Sequence, residues 1–343
     1  MRDRWFARAL VVPFVLGIAS APTNPGTEAF TFRDTEIVES SGIALVDGLV
    51  VTTNDSGDTG RVFTVDPDTG ETVGVTQWEE DPEDVEALAP GGDGAVWVAD
   101  IGDNSESRDS IEVTRVPVGR GDRTVDEETY DLVYPDGAQN AETLLADPDG
   151  RLYVATKSVF GGTLYGAPRT LAADDPNRLQ ELGTVLPIAT DGAFFPDGGH
   201  LVVRDYSRAA VYSFPGLEEV GSFRLPEQEQ GEGIVVDDGG SLLVTSEGQF
   251  APVLRVTLPS DVRRAMRAGA GAPSSSSAPS SSAGTSSSAS ESASASASPS
   301  AGSTAGDEAA ESEQSERAWW PWLLTAGVVL GGLAVLVRSQ RPR

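Results

Sequence analysis

Short runs of apolar residues, four to six residues long, recur through residues 28–260 and are separated by turns rich in Gly, Pro and Asp. The runs are rich in Val, Leu, Ile and aromatic residues, and the turns read DPDG, GGDG and PDGG. This pattern is typical of β-strands joined by tight hairpins. We find no helical periodicity of useful length here, and we expect only a polar turn near residues 259–268. The pattern therefore predicts an all-β domain.

Five of these hairpins form a repeat in which a polar or charged residue opens the first strand. The copies start 45, 56, 49 and 41 residues apart, at Ser41, Glu86, Glu142, Asp191 and Glu232. This period matches the length of a four-stranded propeller blade. A β-sandwich would also contain short strands, but it would not repeat its sequence at this interval. We expect a β-propeller with five blades; a sixth, degenerate blade within residues 86–142 is the alternative.

Further apolar runs between the hairpins supply the third and fourth strands of each blade. The fifth copy has a third strand, VLRVTL from Val253, but no fourth strand before the sequence changes character. The segment AFTFRDTEI from Ala29, which precedes the first copy, is the natural candidate for the missing strand. Such pairing joins the first and last blades and removes exposed sheet edges. We therefore expect the ring to be closed by an N-terminal strand.

The two ends of the chain predict export and membrane attachment. Residues 1–21 combine arginines, an apolar run and a small-residue cleavage site, which is typical of a signal peptide. Cleavage after Ala19 and an uncleaved anchor are the alternatives. Residues 318–337 form a charge-free apolar run with tryptophans at its outer edge and arginines after it, which indicates a transmembrane helix and a cytoplasmic tail at 338–343. We expect a single-pass plasma-membrane protein with its propeller outside the cytoplasm.

The amino-acid composition limits the classes of partner that the chain is expected to bind. Residues 268–317 consist mainly of Ser, Ala, Gly, Thr and Pro, which predicts a disordered, low-complexity stalk, either O-glycosylated or an unmodified spacer. The chain has no cysteine, so an exported domain needs a sizeable core rather than disulfides. Its net charge of −29 argues against nucleic acid and anionic lipid headgroups as partners. The remaining candidate partners are an unknown protein, a glycan or a small molecule, in addition to the membrane that the C-terminal helix is expected to span.

Several short motifs carry a resemblance to known propellers. They are ESSG at 39–42, NDSGD at 54–58, DIGDN at 100–104, AETLL at 141–145 and GEGI at 231–234. With them the chain resembles bacterial, actinobacterial-type β-propellers that are secreted or membrane-anchored and of uncharacterised function. It is more distantly similar to NHL, gluconolactonase-like and esterase-like-phytase propellers. Gluconolactonase-like proteins are six-bladed and hold a divalent metal in the channel with Glu, Asn and Asp ligands, so the resemblance implies a metal in the channel.

The repeat also predicts where polar side chains converge. Each hairpin puts its turn at one end of the ring, and the residues that open its first strand and close its second strand at the other end. Acids dominate that second end, and oxygen ligands with a single His and no Cys favour Ca²⁺ or Mg²⁺ over zinc. The candidate metal ligands are Asp55, Glu86, Asp100, Asp103, Glu142, Asp191 and Glu232. The candidate ligand or partner contacts are Glu39, Asn54, Lys157, Arg204, Asp205 and Glu247.

The sequence also allows alternatives to a bound cation. The acids are equally suited to capping strand ends between blades, and metal-free catalysis is a third interpretation. His200 lies in a hairpin turn at the opposite end, which argues against a Ser-His-Asp triad, and the chain has no G-x-S-x-G, Walker A or H-E-x-x-H motif. We expect a surface-displayed binding or scaffolding module. The alternative is a divalent-cation-assisted hydrolase of esters, lactones or phosphoesters, with glycoside hydrolysis by paired acids as a further one.

Overall fold

The computed structural model describes residues 26–55, 57–126 and 128–270. The predicted signal peptide, the predicted membrane span at 318–337 and the predicted tail lie outside the described residues, as does the predicted stalk from residue 271 onward. In the part of the chain that is described, no helix has the length and apolarity that a membrane crossing requires.

The described residues form strands and one helix. In chain order these are β1 (Thr27–Thr31), β2 (Ser40–Val46), β3 (Leu49–Asn54), β4 (Arg61–Val65), β5 (Thr72–Gln77), β6 (Val85–Gly92), β7 (Ala95–Asp100), β8 (Ile111–Pro117), β9 (Arg123–Thr124), β10 (Glu128–Val133), β11 (Ala141–Ala146), β12 (Leu152–Thr156), β13 (Gly162–Gly166), β14 (Asn177–Arg178), β15 (Gln180–Val185), β16 (Asp191–Phe194), β17 (His200–Arg204), β18 (Arg208–Ser213), β19 (Glu219–Arg224), β20 (Gly231–Val236), β21 (Leu242–Ser246), β22 (Pro252–Val256) and α1 (Ser260–Ala270).

These strands form five sheets, which are the blades of a five-bladed β-propeller. From the axis outward, blade 1 is β2-β3-β4-β5-β9, blade 2 is β6-β7-β8-β10-β14, blade 3 is β11-β12-β13-β15, blade 4 is β16-β17-β18-β19 and blade 5 is β20-β21-β22-β1. The fourth strand of blade 5 is β1, which pairs antiparallel with β22 and places Phe30 opposite Val253. The predictions of five blades and of closure by an N-terminal strand are confirmed.

The long spacing between residues 86 and 142 does not contain a sixth blade. Part of its extra length forms the connection at residues 101–110 between β7 and β8. Another part forms β9, which leaves blade 2 and pairs in parallel with β5 of blade 1, Thr76 opposite Arg123. The alternative of a hidden blade was therefore wrong, because the additional residues widen a neighbouring sheet.

Asp-Gly turns set the register of the first two hairpins. Asp47-Gly48 joins β2 to β3 with φ angles of 51° and 78°, and Asp93-Gly94 joins β6 to β7 with 48° and 70°. Two successive positive φ angles define the type I′ turn, whose twist matches that of antiparallel strands. These turns lie at one end of the ring, so the strands return the chain to the other end.

The hydrophobic core consists of five clusters, each formed by the facing surfaces of two adjacent blades. The cluster between blades 5 and 1 contains the fully buried Phe32 and Ile37, next to the closing strand. The helix α1 completes the cluster between blades 4 and 5 with Val262 and Met266. Because these two residues are four apart, they lie on one helical face. The expected polar turn near residues 259–268 was therefore wrong, and an 11-residue helix lies there.

We expect Phe32→Ala to lower the free energy of unfolding by about 3–5 kcal/mol, because it opens a cavity in the cluster that joins the first and last blades. Phe160→Ala is the matched control, since Phe160 is 98% exposed and its loss leaves no cavity. Urea unfolding followed by tryptophan fluorescence measures both variants. Equal stabilities for the two would contradict the importance of this closure.

Candidate functional site

The innermost strands of the blades, β2, β6, β11, β16 and β20, pack against one another in a closed ring around the propeller axis. They approach so closely that a Cβ on Gly42 of β2 would lie 2.5 Å from the backbone nitrogen of Leu88 on β6. All five strands begin at the same end of the ring. We call that end the channel mouth; it comprises the residues that open these strands and the loops that enter or leave the ring there.

Four of the five inner strands contain a one-residue bulge at the polar position that opens the repeat. In β6 and β11 the bulged residues are Glu86 and Glu142, and in β20 the bulge spans Glu232. A bulge leaves one residue outside the ladder and redirects its side chain. Each of these three glutamates is 6% exposed. The bulges thus place three nearly buried carboxylates at the mouth.

Glu86 forms a cluster with two aspartates of blades 1 and 2. One carboxylate oxygen each from Asp55, Asp84 and Glu86 lie within 4.8 Å of one another. Gly102 of the DIGDN motif packs directly against this cluster, since a Cβ on Gly102 would lie 2.2 Å from Asp84 Oδ2 and 2.8 Å from Glu86 Oε1. Asp84 was not among the candidate metal ligands. The sequence did carry a signal for it, because Asp84 lies two residues before Glu86, the acid that opens the strand.

The electrostatics of this cluster favour a proton or a cation. Burial, followed by the charges of Glu142, Asp55 and Asp84, raises the pKa of Glu86 to about 10, and nearby Lys157 does not offset these effects. The Ser41 hydroxyl donates to the Glu86 backbone oxygen at 2.8 Å and to its Oε2 atom at 3.5 Å, the limit of a hydrogen bond. Without a cation, Glu86 is therefore protonated at neutral pH.

Lys157, which closes the second strand of blade 3, forms an ion pair with Glu142 and donates a hydrogen bond to the Tyr206 hydroxyl at 2.8 Å. Burial alone would lower the pKa of Lys157, but the hydrogen bonds to Glu142 and Tyr206 outweigh it and raise the pKa. Burial raises the pKa of Glu142 to about 7, and Lys157 limits that rise. The chain's single lysine thus balances one of the mouth carboxylates.

A glutamine links the acids of blade 5. Gln230 Nε2 donates to Glu232 Oε1 at 3.3 Å and to Glu247 Oε1 at 2.5 Å. Burial and then the charge of Glu142 raise the pKa of Glu232 to about 7. Burial, followed by the charges of Asp55 and Glu39, also raises the pKa of Glu247. The acids of blades 1, 2, 3 and 5 therefore form one electrostatically coupled group.

Asp100 and Asp103 of the DIGDN motif do not join the cluster: Asp100 organises the connection from blade 1 to blade 2, and Asp103 organises the loop between β7 and β8 within blade 2. Asp100 accepts hydrogen bonds from the backbone nitrogens of Glu83 and Asp84 at 2.7 and 3.0 Å, and from Arg108 at 2.6 Å. Asp103 accepts from the backbone nitrogens of Ser107 and Arg108 at 2.7 and 2.8 Å. These bonds outweigh burial and lower the pKa of Asp103. Both carboxylates already have donors, as a strand-capping role requires.

Asn54 and Asp205 have similar local roles. Asn54 Oδ1 accepts hydrogen bonds from the backbone nitrogens of Val38 and Glu39 at 3.0 and 3.2 Å. Asp205 Oδ1 accepts from the backbone nitrogens of Ser207 and Arg208 at 2.8 and 2.7 Å. These bonds hold the connection that enters blade 1 and the loop that follows β17. Glu39 itself is exposed at the mouth.

Blade 4 differs from the others because β16 has no bulge and Asp191 pairs directly with Arg204 in the ladder. Both residues are fully buried. Asp191 accepts a hydrogen bond from the backbone nitrogen of Ile234 at 2.7 Å, while Arg204 donates to the backbone oxygens of Gly233 and Thr245 at 3.0 and 3.3 Å. Burial raises the pKa of Asp191 well above its usual range and lowers that of Arg204 to about 10. This pair fastens blade 4 to blade 5.

No protein-family model matches the chain, and no curated protein matches it. Several solved structures do match the chain. A gluconolactonase from Xanthomonas campestris is 17% identical, with a TM-score of 0.41, over 64% of this chain and 72% of its own. A streptogramin B lyase is 14% identical, with a TM-score of 0.36, over 64% and 65%. A protein of unknown function from Bacteroides caccae is 15% identical, with a TM-score of 0.37, over 63% and 71%. At this level the likeness carries no argument about activity.

The raised pKa of Glu86 predicts a loss of stability with increasing pH. Between the unfolded pKa of 4.5 and the folded pKa of about 10, the unfolded chain releases a proton that the folded chain retains. The contribution of Glu86 to stability is therefore complete below pH 4.5 and declines as the pH rises. In EDTA, we expect the stability of Glu86→Gln relative to the parent to increase by about 4–5 kcal/mol from pH 4 to pH 8.

Urea unfolding at each pH measures this difference. The exposed Glu227 provides the matched control, because Glu227→Gln removes a carboxylate that is not buried. If the stability of Glu86→Gln relative to the parent stays constant with pH, Glu86 is ionised in the folded protein and the assignment is wrong.

Proposed function

We propose that the propeller is a binding module whose ligand site is the channel mouth, and that the mouth holds a divalent cation of the Ca²⁺ type between Asp55, Asp84 and Glu86. The buried Glu86 carboxylate is the observation that carries this proposal. Among the described residues, no Lys, Arg or His forms an ion pair with it, and its carboxylate hydrogen bond to Ser41 is a long one.

A cation satisfies this carboxylate better than the surrounding protein does. A buried carboxylate needs either a proton or a positive partner. The neighbouring Lys157 pairs with Glu142, while the oxygens of Asp55 and Asp84 lie beside Glu86. Carboxylate oxygens are the ligands that Ca²⁺ prefers. Gly102, which lacks a Cβ, leaves these oxygens room to approach one another.

The position of the cluster supports binding beyond the cation itself. Asp55 and Asp84 are only half-buried, so the cluster is reached from the open end of the channel. Ca²⁺ takes about six to eight oxygen ligands, more than three side chains supply as single ligands, and this leaves positions for water or for a ligand. The predicted export of the chain adds support, because the mouth would then face an environment outside the cytoplasm.

We expect the full chain to bind Ca²⁺ in isothermal titration calorimetry and to melt at a higher temperature with Ca²⁺ than with EDTA. Asp84→Asn and Glu86→Gln each remove a ligand charge and are expected to weaken Ca²⁺ binding by about tenfold or more. Binding must also release a proton from Glu86, so the affinity rises between pH 6 and pH 8.

Asp238→Asn is the control for the titration. Asp238 is exposed in the turn between β20 and β21, at the end of the ring opposite the mouth. If the melting temperature of the parent protein changes with neither EDTA nor Ca²⁺, the protein has no such site and the proposal of a bound cation is wrong.

A second candidate function, cation-assisted hydrolysis of an ester, lactone or phosphoester, is favoured by one observation. Glu142 and Glu232 both have pKa values raised to about 7 at the mouth. A general acid or base is most effective when its pKa lies near the working pH. In this candidate, Glu232 is the group that transfers the proton, because Glu142 is held in its ion pair with Lys157.

A panel of chromogenic esters, lactones and phosphoesters, assayed with and without Ca²⁺, tests the hydrolase. The expected result is turnover that Glu232→Gln reduces by about a hundredfold or more. The Asp238→Asn variant, which changes an exposed acid at the end of the ring opposite the mouth, should retain the parent's rate. Absence of turnover across the panel removes this candidate and leaves the binding module.

A further inference from the structure

We propose that the channel mouth docks a segment of a partner protein in which a basic side chain is flanked by apolar ones. This inference rests on the proposed binding function and names its partner class. Large hydrophobic side chains that are exposed in the described part of the chain all lie in connections at the mouth. They are Val38, Val159, Phe160, Tyr206 and Phe250, which are 39%, 68%, 98%, 38% and 47% exposed.

Their positions follow from the topology. In each blade the loop after the second strand emerges at the mouth. Val159 and Phe160 follow β12 of blade 3, Tyr206 follows β17 of blade 4 and Phe250 follows β21 of blade 5. Val38 lies in the connection from β1 to β2, which also enters at the mouth. Together these five residues span consecutive blades, and we call them the apolar arc. The Asp55–Asp84–Glu86 cluster belongs to the remaining side, blades 1 and 2.

The fold does not account for the exposure of Phe160 and Phe250. Phe160 buries almost none of its ring, and Phe250 has a φ angle of +60°, a left-handed conformation that is unfavourable for a bulky residue. Single exposed hydrophobic residues are common on protein surfaces. Their concentration in connections at one end of a ring is characteristic of an interaction surface, where aromatic anchors contribute much of the binding energy.

Hydrogen bonds hold the loops of the apolar arc in place. The backbone nitrogen of Gly248 donates to the backbone oxygen of Val38 at 2.9 Å, and Gln249 Nε2 donates to the backbone oxygen of Thr35 at 2.7 Å. Lys157 Nζ likewise donates a hydrogen bond to the Tyr206 hydroxyl at 2.8 Å. The loops that carry Val38, Tyr206 and Phe250 are therefore held in place, and they lose little conformational entropy when a partner docks.

Charge identifies the partner. Exposed acids Glu227 and Glu229 lie in the connection that enters blade 5. Glu39 is next to Val38 in sequence, and Glu247 lies three residues before Phe250. A basic side chain complements these carboxylates, and its apolar neighbours can cover the aromatic rings. The net charge of −29 disfavours a second copy of this chain, since like charges repel. A neutral glycan would use the rings but not the acids, so a protein segment fits better.

The test begins with a random dodecapeptide library selected on the full chain. The expected consensus is a Lys or Arg with large apolar residues on either side. The consensus peptide is then synthesised, and its binding to the parent is measured by fluorescence anisotropy. Phe160→Ser and Phe250→Gly are each expected to weaken binding by about tenfold, and Glu39→Gln by about threefold. Asp238→Asn, at the opposite end, should bind as the parent does.

Three results would overturn the proposal. The first is a selection that yields no basic, apolar-flanked consensus. The second is a consensus peptide whose binding is unchanged in Phe160→Ser and Phe250→Gly, both folded by their melting curves. The third is self-association of the full chain that Phe160→Ser abolishes, because the occupant would then be a second copy. Ca²⁺ titrations without peptide test the cation site separately, so failure there and failure here are distinct results.

Discussion

The crowding of five inner strands around one axis is the constraint on which the chemistry of this protein depends. The strands lie so close together that Gly42 has no room for a Cβ. Side chains that open these strands need another direction, and bulges in four of the strands supply it. Because the bulges occur at equivalent positions of the repeat, they bring the side chains to one place. The same constraint buries those side chains and raises their pKa values.

The structure stabilises the convergent acids in three ways. Burial raises the pKa of Glu86 and favours its protonated form, Glu142 pairs with Lys157, and Glu232 shares the amide of Gln230 with Glu247. The inner strand of blade 4, β16, has no bulge and places no carboxylate in this group. Its Asp191 is fully buried and bonded to blade 5. Blade 4 therefore contributes a structural joint to blade 5 instead of a strand-opening acid in this group.

This arrangement divides the mouth into two chemical regions. Blades 1 and 2 present the Asp55–Asp84–Glu86 cluster, which suits a hard cation, while the apolar arc lies on blades 3, 4 and 5 and on the connection from blade 5 to blade 1. A propeller is well suited to such a division, because each blade contributes its own loops while the interblade clusters hold the ring. The closing strand β1 pairs into the last blade and contributes to the cluster between blades 5 and 1, so it joins the first and last blades of the chain.

Local patterns were enough to predict the strands, the Asp-Gly turns, the closing strand and the five blades, because strand alternation and turn chemistry depend on neighbouring residues. The meeting of strand-opening acids at one end followed from the topology alone. The sequence could not show that Asp100 and Asp103 are occupied by backbone donors, that Asp191 and Arg204 are buried, or that Asp84 completes a cluster with Glu86. Those features depend on bulges and on contacts between blades distant in sequence, which only the tertiary structure brings together.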